Sequence, residues 1–361
     1  MSETSQSHPL SRFLVIAASI VFIVWGVSQA EAVLVPLLVS AFFAVLATPP
    51  VFWLERRRVP VVVAVLVVVV GMVVVLVGIG AAVGTSINDF YATLPQYQAR
   101  IQADVAAFRA FLATKHIATP DAILLKYMNP EAVMNMTAGL FMRLGSAFSH
   151  IVLIVLTVTF ILLEATSFPG KLRAVLGDPY QRFPQFTTFI DDVKRYVVIK
   201  TIISLATGVL VMVWLSILHV DFPILWGFLA FLLNYVPSIG AFVAAVPAVL
   251  LAVIQLGLGM GLLVAGGYGV INLSLAYGIE TRLMGRKLGL SALVVFLSLI
   301  FWGSLLGPIG AVLCIPLTMS LKFALESHES TRWVAVLLGP GRLPPGPPPS
   351  LREMSAKTEP F

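Results

Sequence analysis

Charged residues are scarce in this sequence. Asp, Glu, Lys and Arg make up 11% of the 361 residues, whereas a soluble globular protein carries roughly a quarter. Hydrophobic residues make up 59%, and the mean hydropathy is +0.98. This composition excludes soluble domains and indicates an integral membrane protein. The net charge of +6 comes from short basic clusters beside apolar runs, a pattern typical of cytoplasmic loops, so no nucleic-acid partner is predicted.

Cysteine and the motifs of soluble enzymes are also missing or nearly so. Cys314 is the single cysteine, which excludes an intrachain disulfide and a cysteine-based metal cage. The five histidines are too scattered to propose metal ligands, and no P-loop, hydrolase elbow or dinucleotide-binding glycine pattern stands out. We therefore predict no cofactor, no metal site and no enzymatic activity. Any pumping must be driven by a gradient or by the substrate itself.

The apolar runs predict an N-terminal unit of three membrane spans within residues 1–84. Residues 13–30 and 32–54 are long enough to span, and together they predict a tight helical hairpin. Residues 60–84 predict a third span. The basic residues 55–58 between the second and third spans are placed in the cytoplasm by the positive-inside bias.

Residues 85–145 form the long polar segment of the chain. Apolar residues recur in it at three- and four-residue steps, which predicts amphipathic helix outside the cytoplasm. Two interpretations stay open: a gating or subunit-contact element, or a connector that lies on the membrane surface. Residues 146–200 predict a fourth span followed by a basic cytoplasmic stretch, and residues 326–361 predict a Pro-rich, disordered cytoplasmic tail.

Proline and glycine interrupt two apolar runs in the remaining part, residues 201–325, which is the predicted transport core. Pro237 and Gly240 interrupt the first run, and Pro308 and Gly310 interrupt the second. Such residues open the backbone hydrogen-bond ladder of a membrane helix, which is tolerated only under cover of protein or along a water-filled cavity. Two breaks at corresponding positions therefore predict the substrate site of a secondary transporter.

Charge placement predicts that each interrupted run is a re-entrant hairpin. If residues 222–254 crossed the membrane once, Arg282, Arg286 and Lys287 would lie outside, against the positive-inside bias. A hairpin entering from outside places them in the cytoplasm instead. Residues 288–321 are likewise long for one span and predict a second hairpin, which enters from the cytoplasmic side.

The two predicted hairpins define an inverted repeat. A helix with its hairpin, roughly residues 196–254, is followed by the same unit in the opposite orientation, roughly residues 262–323. Repeats of this kind build a site near the middle of the membrane that opens alternately to each side. The predicted fold is therefore an all-α, polytopic transmembrane bundle with two Pro/Gly-broken re-entrant hairpins in an inverted repeat.

Few polar side chains are available inside this core. Asn234 and Asn272 can each offer a donor and an acceptor to a polar solute, although Asn also serves to join helices by hydrogen bonds. Glu280 and Arg282 are the candidate ionisable groups, with a charge relay or a boundary salt bridge as their two interpretations. Together with the two Pro–Gly breaks, these four residues complete the predicted substrate pathway.

The sequence resembles the autoinducer-2 exporter family of bacterial inner-membrane transporters. Its family-like motifs are LWG at 225–227, LNYVPSIG at 233–240, Pro247, ETRLMGRKLGLS at 280–291, FWG at 301–303, GPIG at 307–310 and Pro316. The likeness covers nearly the whole chain, and these motifs fall within residues 195–320. Thr281 and Ala292 stand where the family often has proline, which concerns local turns and not the fold.

The resemblance implies a multi-pass protein of the bacterial inner membrane that exports a signalling molecule and forms a homo-oligomer, with a pentamer as one size. Members differ, and some are similar to cation/proton antiporters. Our leading interpretation is a gradient-driven exporter of a small polar solute similar to autoinducer-2, with that solute and the lipid bilayer as partners. The alternatives are a monovalent cation/proton antiporter that uses Glu280, and a membrane scaffold that transports nothing.

Overall fold

The computed structural model of the protein describes residues 9–114, 139, 151–176, 184–237, 239–280, 282 and 289–339. Within these ranges the regular structure is helical and contains no strand, which confirms the predicted all-α class. The α-helices are α1 (Pro9–Gln29), α2 (Glu31–Arg56), α3 (Val61–Thr114), α4 (Ile151–Leu176), α5 (Pro184–Ile217), α6 (Pro223–Leu233), α7 (Gly240–Leu256), α8 (Leu258–Leu273), α9 (Ala292–Glu326) and α10 (Arg332–Leu337). A π-helix, Ser274–Glu280, directly follows α8.

Five helical stretches in the described part of the chain are long and apolar enough to cross a membrane. They are Glu31–Arg56, Val61–Ala103, Phe186–Ile217, Leu258–Ala276 and Ala292–Glu326. Large apolar side chains are exposed along the helices, among them Val74, Phe160 and Leu262. Exposed apolar surface of this extent is stable against lipid and not against water. The chain is therefore a multi-pass membrane protein.

Helices α1 and α2 follow each other across the single residue Ala30. The Ala30 N–H donates to the Gly26 carbonyl oxygen at 3.0 Å, and the Leu34 N–H donates to the Ala30 carbonyl oxygen at 2.9 Å. Helical bonding thus continues on both sides of Ala30, and one residue cannot reverse the chain. The predicted tight hairpin of the first two spans is wrong. Glu31 does not interrupt the helix but occupies its first turn, where the helix dipole favours a carboxylate.

Helices α2, α3 and α4 share one buried cluster. Ala44, Ala64 and Val158 are at most 3% exposed within it, and their small or branched side chains let the helices approach closely. The Phe42 ring of α2 also lies 5.7 Å from the Tyr235 ring, centroid to centroid. These three helices therefore form a scaffold against which the C-terminal part of the chain packs.

Helix α3 runs without a break through the boundary predicted at residues 84 and 85. Apolar residues in the amphipathic segment recur with the same helical spacing as in the preceding span. This spacing therefore does not predict an end of the helix near residue 85. Phe90 and Tyr97 are 6% and 5% exposed and belong to the same buried cluster as Trp226 of α6. The first part of the amphipathic segment therefore packs on the C-terminal part of the chain. Most of its remainder lies outside the described residues.

The first Pro–Gly break is a reversal of the chain between α6 and α7. The backbone N–H of Asp221, just before α6, donates to Oε1 of Gln255, near the end of α7, at 3.0 Å, so the two helices lie antiparallel. A Cβ atom on Gly240 would lie 1.7 Å from the Leu233 carbonyl oxygen. This close approach of two backbone segments requires glycine at position 240. Ser238 lies outside the described residues.

The second break lies inside α9, where Leu306 and Gly307 leave the helical conformation and Gly307 has φ of 63°. Across this break, the Trp302 indole N–H donates to the Thr318 hydroxyl at 3.0 Å over 16 positions of sequence. A straight helix would separate these residues by about 24 Å, so the chain reverses here as well. A Cβ atom on Gly310 would lie 2.0 Å from the Trp302 carbonyl oxygen.

Trp302→Phe is expected to destabilise this second reversal. The change removes the indole donor and leaves the Thr318 hydroxyl, which is 3% exposed, without that bond. Losing one buried hydrogen bond costs about 1–2 kcal/mol, which thermal unfolding of the purified protein measures. Ser304→Ala is the matched control, because its exposed hydroxyl bonds only the Phe301 carbonyl oxygen. Equal losses in the two variants would contradict the assignment.

Candidate functional site

Helix α5 carries a line of buried polar residues. Tyr196, Lys200, Ser204 and Thr207 follow one another at four, four and three positions, which places them on one face of the helix. Their exposed fractions are 4%, 6%, 0% and 2%. Because the other faces of α5 expose apolar side chains, this polar line is turned towards the interior of the protein.

Lys200 forms an ion pair with Glu280, the last residue of the π-helix. The Nζ–Oε1 distance is 2.8 Å, and the side chains are 8% and 22% exposed. A charge taken out of water is tolerated only when it is paired, because an uncompensated one costs several kcal/mol. Two interpretations were given for Glu280, a charge relay and a salt bridge at the membrane boundary. The structure shows a salt bridge, but it lies in the interior and joins α5 to the π-helix.

The first reversal lies along the same face of α5. Nδ2 of Asn234 donates to Oγ of Ser204 at 3.0 Å, and the Tyr235 hydroxyl donates to Oγ1 of Thr201 at 2.8 Å. Ser204 and Thr201 lie within one helical turn of Lys200. The tip of the first reversal is therefore held beside the ion pair.

Helix α9 covers another side of this region. Cys314 and Ile315 of α9 belong to one buried cluster with Tyr196 of α5, and Val236 of the first reversal packs against the same cluster. The interior of the C-terminal part thus has a polar centre bordered by α5, the first reversal, the π-helix and α9. We call it the central polar site, and its members are Tyr196, Lys200, Ser204, Asn234 and Glu280.

The Tyr196 hydroxyl is buried and has no hydrogen-bond partner among the described residues. It lies one helical turn from Lys200 and close to Glu280, Tyr235 and Cys314. An unpaired buried polar group costs about 1–3 kcal/mol. The central polar site therefore contains a donor and acceptor that no described part of the chain uses.

The structure brings two of the predicted pathway residues into this site, Asn234 and Glu280. Pro237 and Gly240 form the reversal beside it, where Pro237 is half-buried and Gly240 is buried. The bond from Asn234 joins two elements, as expected for an Asn that connects helices. Its carbonyl oxygen is a further acceptor at the site.

The other predicted residues lie elsewhere. Pro308 and Gly310 stand at the second reversal. Nδ2 of Asn272 donates to the Tyr268 carbonyl oxygen at 2.9 Å, so this amide is bonded within its own helix. Arg282 is exposed, and the ion pair of Glu280 is made with Lys200 and not with this neighbour.

The α5 members of the central polar site are absent from the sequence prediction, which placed Lys200 in a basic cytoplasmic stretch. A signal for Lys200 does exist. It is the single Asp, Glu, Lys or Arg in residues 196–220, and Glu280 is the single carboxylate in residues 222–325. Two lone opposite charges in apolar surroundings each need a partner, so the pairing of Lys200 with Glu280 is one that the sequence itself allows.

A second polar cluster, the loop cluster, lies at the far end of α5. Tyr97 of α3 donates its hydroxyl to the Asp221 carboxylate. The Trp226 indole N–H donates to the Asp221 carbonyl oxygen at 3.0 Å, and Nε2 of Gln255 donates to the His219 carbonyl oxygen at 3.1 Å. About 25 Å of helix separates the loop cluster from the central polar site. The loop cluster joins α3 to the start of α6 and to the end of α7, the two helices of the first reversal.

These features together define a class of protein. An all-α, multi-pass chain with a buried ion pair beside one chain reversal, and a second reversal inside α9, is built like a membrane transporter, because such costly features are kept along transport pathways. The chain belongs to the AI-2E family of transporters: the family model, described as AI-2E family transporter, matches residues 13–329. The resemblance found in the sequence is confirmed.

Individual relatives are similar over nearly their full length. The AI-2 transport protein TqsA of Escherichia coli (strain K12) is 39% identical over 327 residues, which cover 91% of this chain and 95% of TqsA. YhhT of the same strain is 36% identical over 325 residues, covering 90% and 93%. A Haemophilus influenzae protein is 35% identical over 336 residues, covering 91% and 97%. The similarity therefore extends over the whole architecture.

Proposed function

We propose that the protein is a secondary transporter that uses an ion gradient to export a small polar solute across the bacterial inner membrane. The observation that carries this proposal is the buried Lys200–Glu280 pair beside the first chain reversal. An ion gradient is the expected driving force because the sequence holds no ATP-binding motif. The name of TqsA, an AI-2 transport protein, supports a solute of the autoinducer-2 type.

The two reversals are proposed to be re-entrant hairpins. Helix α6 has 11 residues and is about 16 Å long, roughly half the thickness of the hydrocarbon layer. The arm of α9 before Gly307 is about 22 Å long by the same rise per residue. Arms of this length support chains that turn back inside the membrane. Helix α5 with the first hairpin and α8 with the second then form the inverted repeat.

The proposed solute pathway passes the central polar site. Asn234 and Glu280 line it there, with the first hairpin tip, Pro237 and Gly240, beside them. The tip of the second hairpin, which carries Pro308 and Gly310, and the outlying Asn272 and Arg282 are assigned to the same pathway. The transporter is proposed to work as a homo-oligomer, with a pentamer as the size to be tested.

Transport by the full-length protein in liposomes tests this proposal. Liposomes loaded with autoinducer-2 are expected to release it faster when a proton gradient is imposed, and an ionophore that collapses the gradient should remove the acceleration. Protein-free liposomes are the control. Release that ignores both the proton gradient and an imposed sodium gradient would contradict gradient-driven transport, and absence of release with every solute and ion tried would favour the non-transporting scaffold.

A monovalent cation/proton antiporter is the second candidate function. The observation that favours it is the isolation of Glu280 as the single carboxylate in residues 222–325. Proton flux that depends on sodium or lithium in the same liposomes, and that Glu280→Gln abolishes, would assign this function. Solute release without such flux would exclude it.

Thiol labelling of intact cells is expected to show that the start of α8 and the residue after the π-helix lie on opposite sides of the membrane. In a Cys314→Ala background, an impermeant reagent added outside should label Leu258→Cys, at the start of α8, but not Arg282→Cys, after the π-helix. The expectation follows from the outside entry of the first hairpin. Permeabilised cells serve as the control, since there Arg282→Cys should react. Labelling of Arg282→Cys in intact cells would contradict the paired hairpins.

A further inference from the structure

We propose that Glu280 is the proton-binding group of the transporter, and that its protonation releases Lys200 and lets α5 separate from the π-helix. The inference rests on the proposed secondary transport, because it names the ion whose gradient drives the cycle. It assigns to Lys200 the role of an internal cation that occupies Glu280 whenever the proton is absent.

The position of acidic groups in the chain selects Glu280. A proton-driven transporter needs a group inside its core that gains and loses a proton, and an intramembrane carboxylate commonly serves. Residues 222–325 contain one carboxylate. Asp221, just before them, belongs to the loop cluster and accepts the Tyr97 hydroxyl. Among the described residues, Glu280 is therefore the acidic group of the central polar site.

The groups around the pair leave Lys200 as the charge that faces this carboxylate. The charged or titratable groups around the Lys200–Glu280 pair in the described part of the chain are Tyr196 on α5, Tyr235 at the first reversal, Cys314 on α9 and the exposed Arg282 after the π-helix. Phenols and thiols are largely uncharged near neutral pH. A proton and Lys200 are thus the two cations that compete for the Glu280 oxygens.

Proton binding changes the contact between two elements. When Glu280 takes up a proton from water, its carboxylate becomes a neutral carboxyl group, and the attraction to the Lys200 ammonium is lost. Lys200 then needs another acceptor, and the unpartnered Tyr196 hydroxyl lies one turn away on the same face of α5. Because α5 belongs to the first half of the core and the π-helix to the second, the proton loosens the link between the halves.

The π-helix suits this role. It holds seven residues, Ser274–Glu280, and ends on the proton-binding group. Short π-segments inside α-helices are uncommon and occur frequently at functional sites. The Glu280 carboxylate therefore lies at the end of the π-helix and not on the regular α-helical turns of α8.

Chemical modification of the full-length protein in lipid nanodiscs tests the proton site. Dicyclohexylcarbodiimide adds to a protonated carboxyl group in apolar surroundings and leaves a stable N-acylurea without a leaving group. Mass spectrometry of the peptide containing Glu280 should show modification that rises by up to about tenfold per unit of falling pH, because it follows the protonated fraction. Lys200→Met should be modified about tenfold faster than the parent near pH 8, since a buried carboxyl without a counter-charge favours its neutral form.

Matched variants and ions make this test decisive. Lys171→Met removes the exposed pair with Glu164 on α4, at 2.9 Å, and should leave the Glu280 profile unchanged. Absence of modification at every pH from about 5 to about 9 in both the parent and Lys200→Met would overturn the proposal. Protection of Glu280 by sodium at constant pH would also overturn it, in favour of a metal-ion site. No gradient or solute is present, so failure of the transport proposal is recognised separately, in the liposome experiment.

Distance measurements test the release of α5. Spin labels at Ile202→Cys and Leu273→Cys, both at exposed positions, in a Cys314→Ala background, should give a distance distribution that changes as the pH falls. The double variant Lys200→Met/Glu280→Gln, which removes both charges, should give one distribution that does not change with pH. A distribution independent of pH in the parent would overturn the release of α5.

Discussion

Gly240→Ala and Gly310→Ala are expected to lower the transport rate of each assembled particle by about 5- to 150-fold. The added Cβ atoms would lie 1.7 Å and 2.0 Å from backbone carbonyl oxygens, so the backbone of each reversal must shift. Overpacking of this kind costs about 1–3 kcal/mol, and a cost of that size changes a conformational equilibrium by the stated factor. Initial rates in liposomes, divided by the amount of assembled protein, measure the effect.

Gly84→Ala is the matched control for these two variants. No atom lies within 4 Å of a Cβ at this position, so the rate per particle and the assembly should both stay at parental values. If the two reversal variants lose only assembled protein and keep the parental rate per particle, the glycines serve helix packing alone. That outcome would end the assignment of the reversals to the solute pathway.

Glu280→Gln is expected to destabilise the folded protein by about 3–5 kcal/mol. The substitution leaves the Lys200 ammonium buried without a counter-charge, and breaking a buried pair on one side costs about this much. Lys200→Met/Glu280→Gln should recover most of the loss, because it removes both charges. Thermal unfolding of the purified variants at one pH provides the comparison.

The exposed pair on α4 supplies the control for this prediction. Lys171 and Glu164 are 2.9 Å apart, with side chains 64% and 56% exposed. Exposed pairs contribute about 0–1 kcal/mol, so Lys171→Met should change stability little. A single Glu280→Gln loss as small as that of Lys171→Met would mean that water reaches Lys200. A double variant no more stable than the single one would contradict the pairing.

Local patterns in the sequence were sufficient for the fold class and for the places where the chain breaks. Composition and apolar runs predict an all-α membrane protein, and the Pro–Gly sequences predict the two interruptions, because backbone hydrogen bonding in lipid leaves few alternatives. Asn234 and Glu280 were predicted for a similar reason, since polar groups inside an apolar run are rare enough to be informative.

Connections and long-range pairs were harder to predict. Glu31 predicts a turn between the first two spans, but a single carboxylate is compatible with a helix start and does not force a turn. Similarly, the change from apolar to amphipathic sequence near residue 85 alters the surroundings of α3 and not its backbone. The partner of Glu280 lies 80 positions away in sequence, and the spacing of residues within one helix cannot predict a contact between residues so far apart.

The length of α3 has a mechanical consequence. Its 54 residues correspond to about 80 Å of helix, more than twice the thickness of the hydrocarbon layer. It is pinned near one end by the buried Val65 and further along by the bond from Tyr97 to Asp221. A stiff helix that is held near one end and at Tyr97 transmits a force on its free end to the contacts at Tyr97. The part of α3 beyond Tyr97 is about 25 Å long. A protein bound to this end of α3 would therefore act on the loop cluster, and through it on the helices of the first reversal, at a distance from the central polar site.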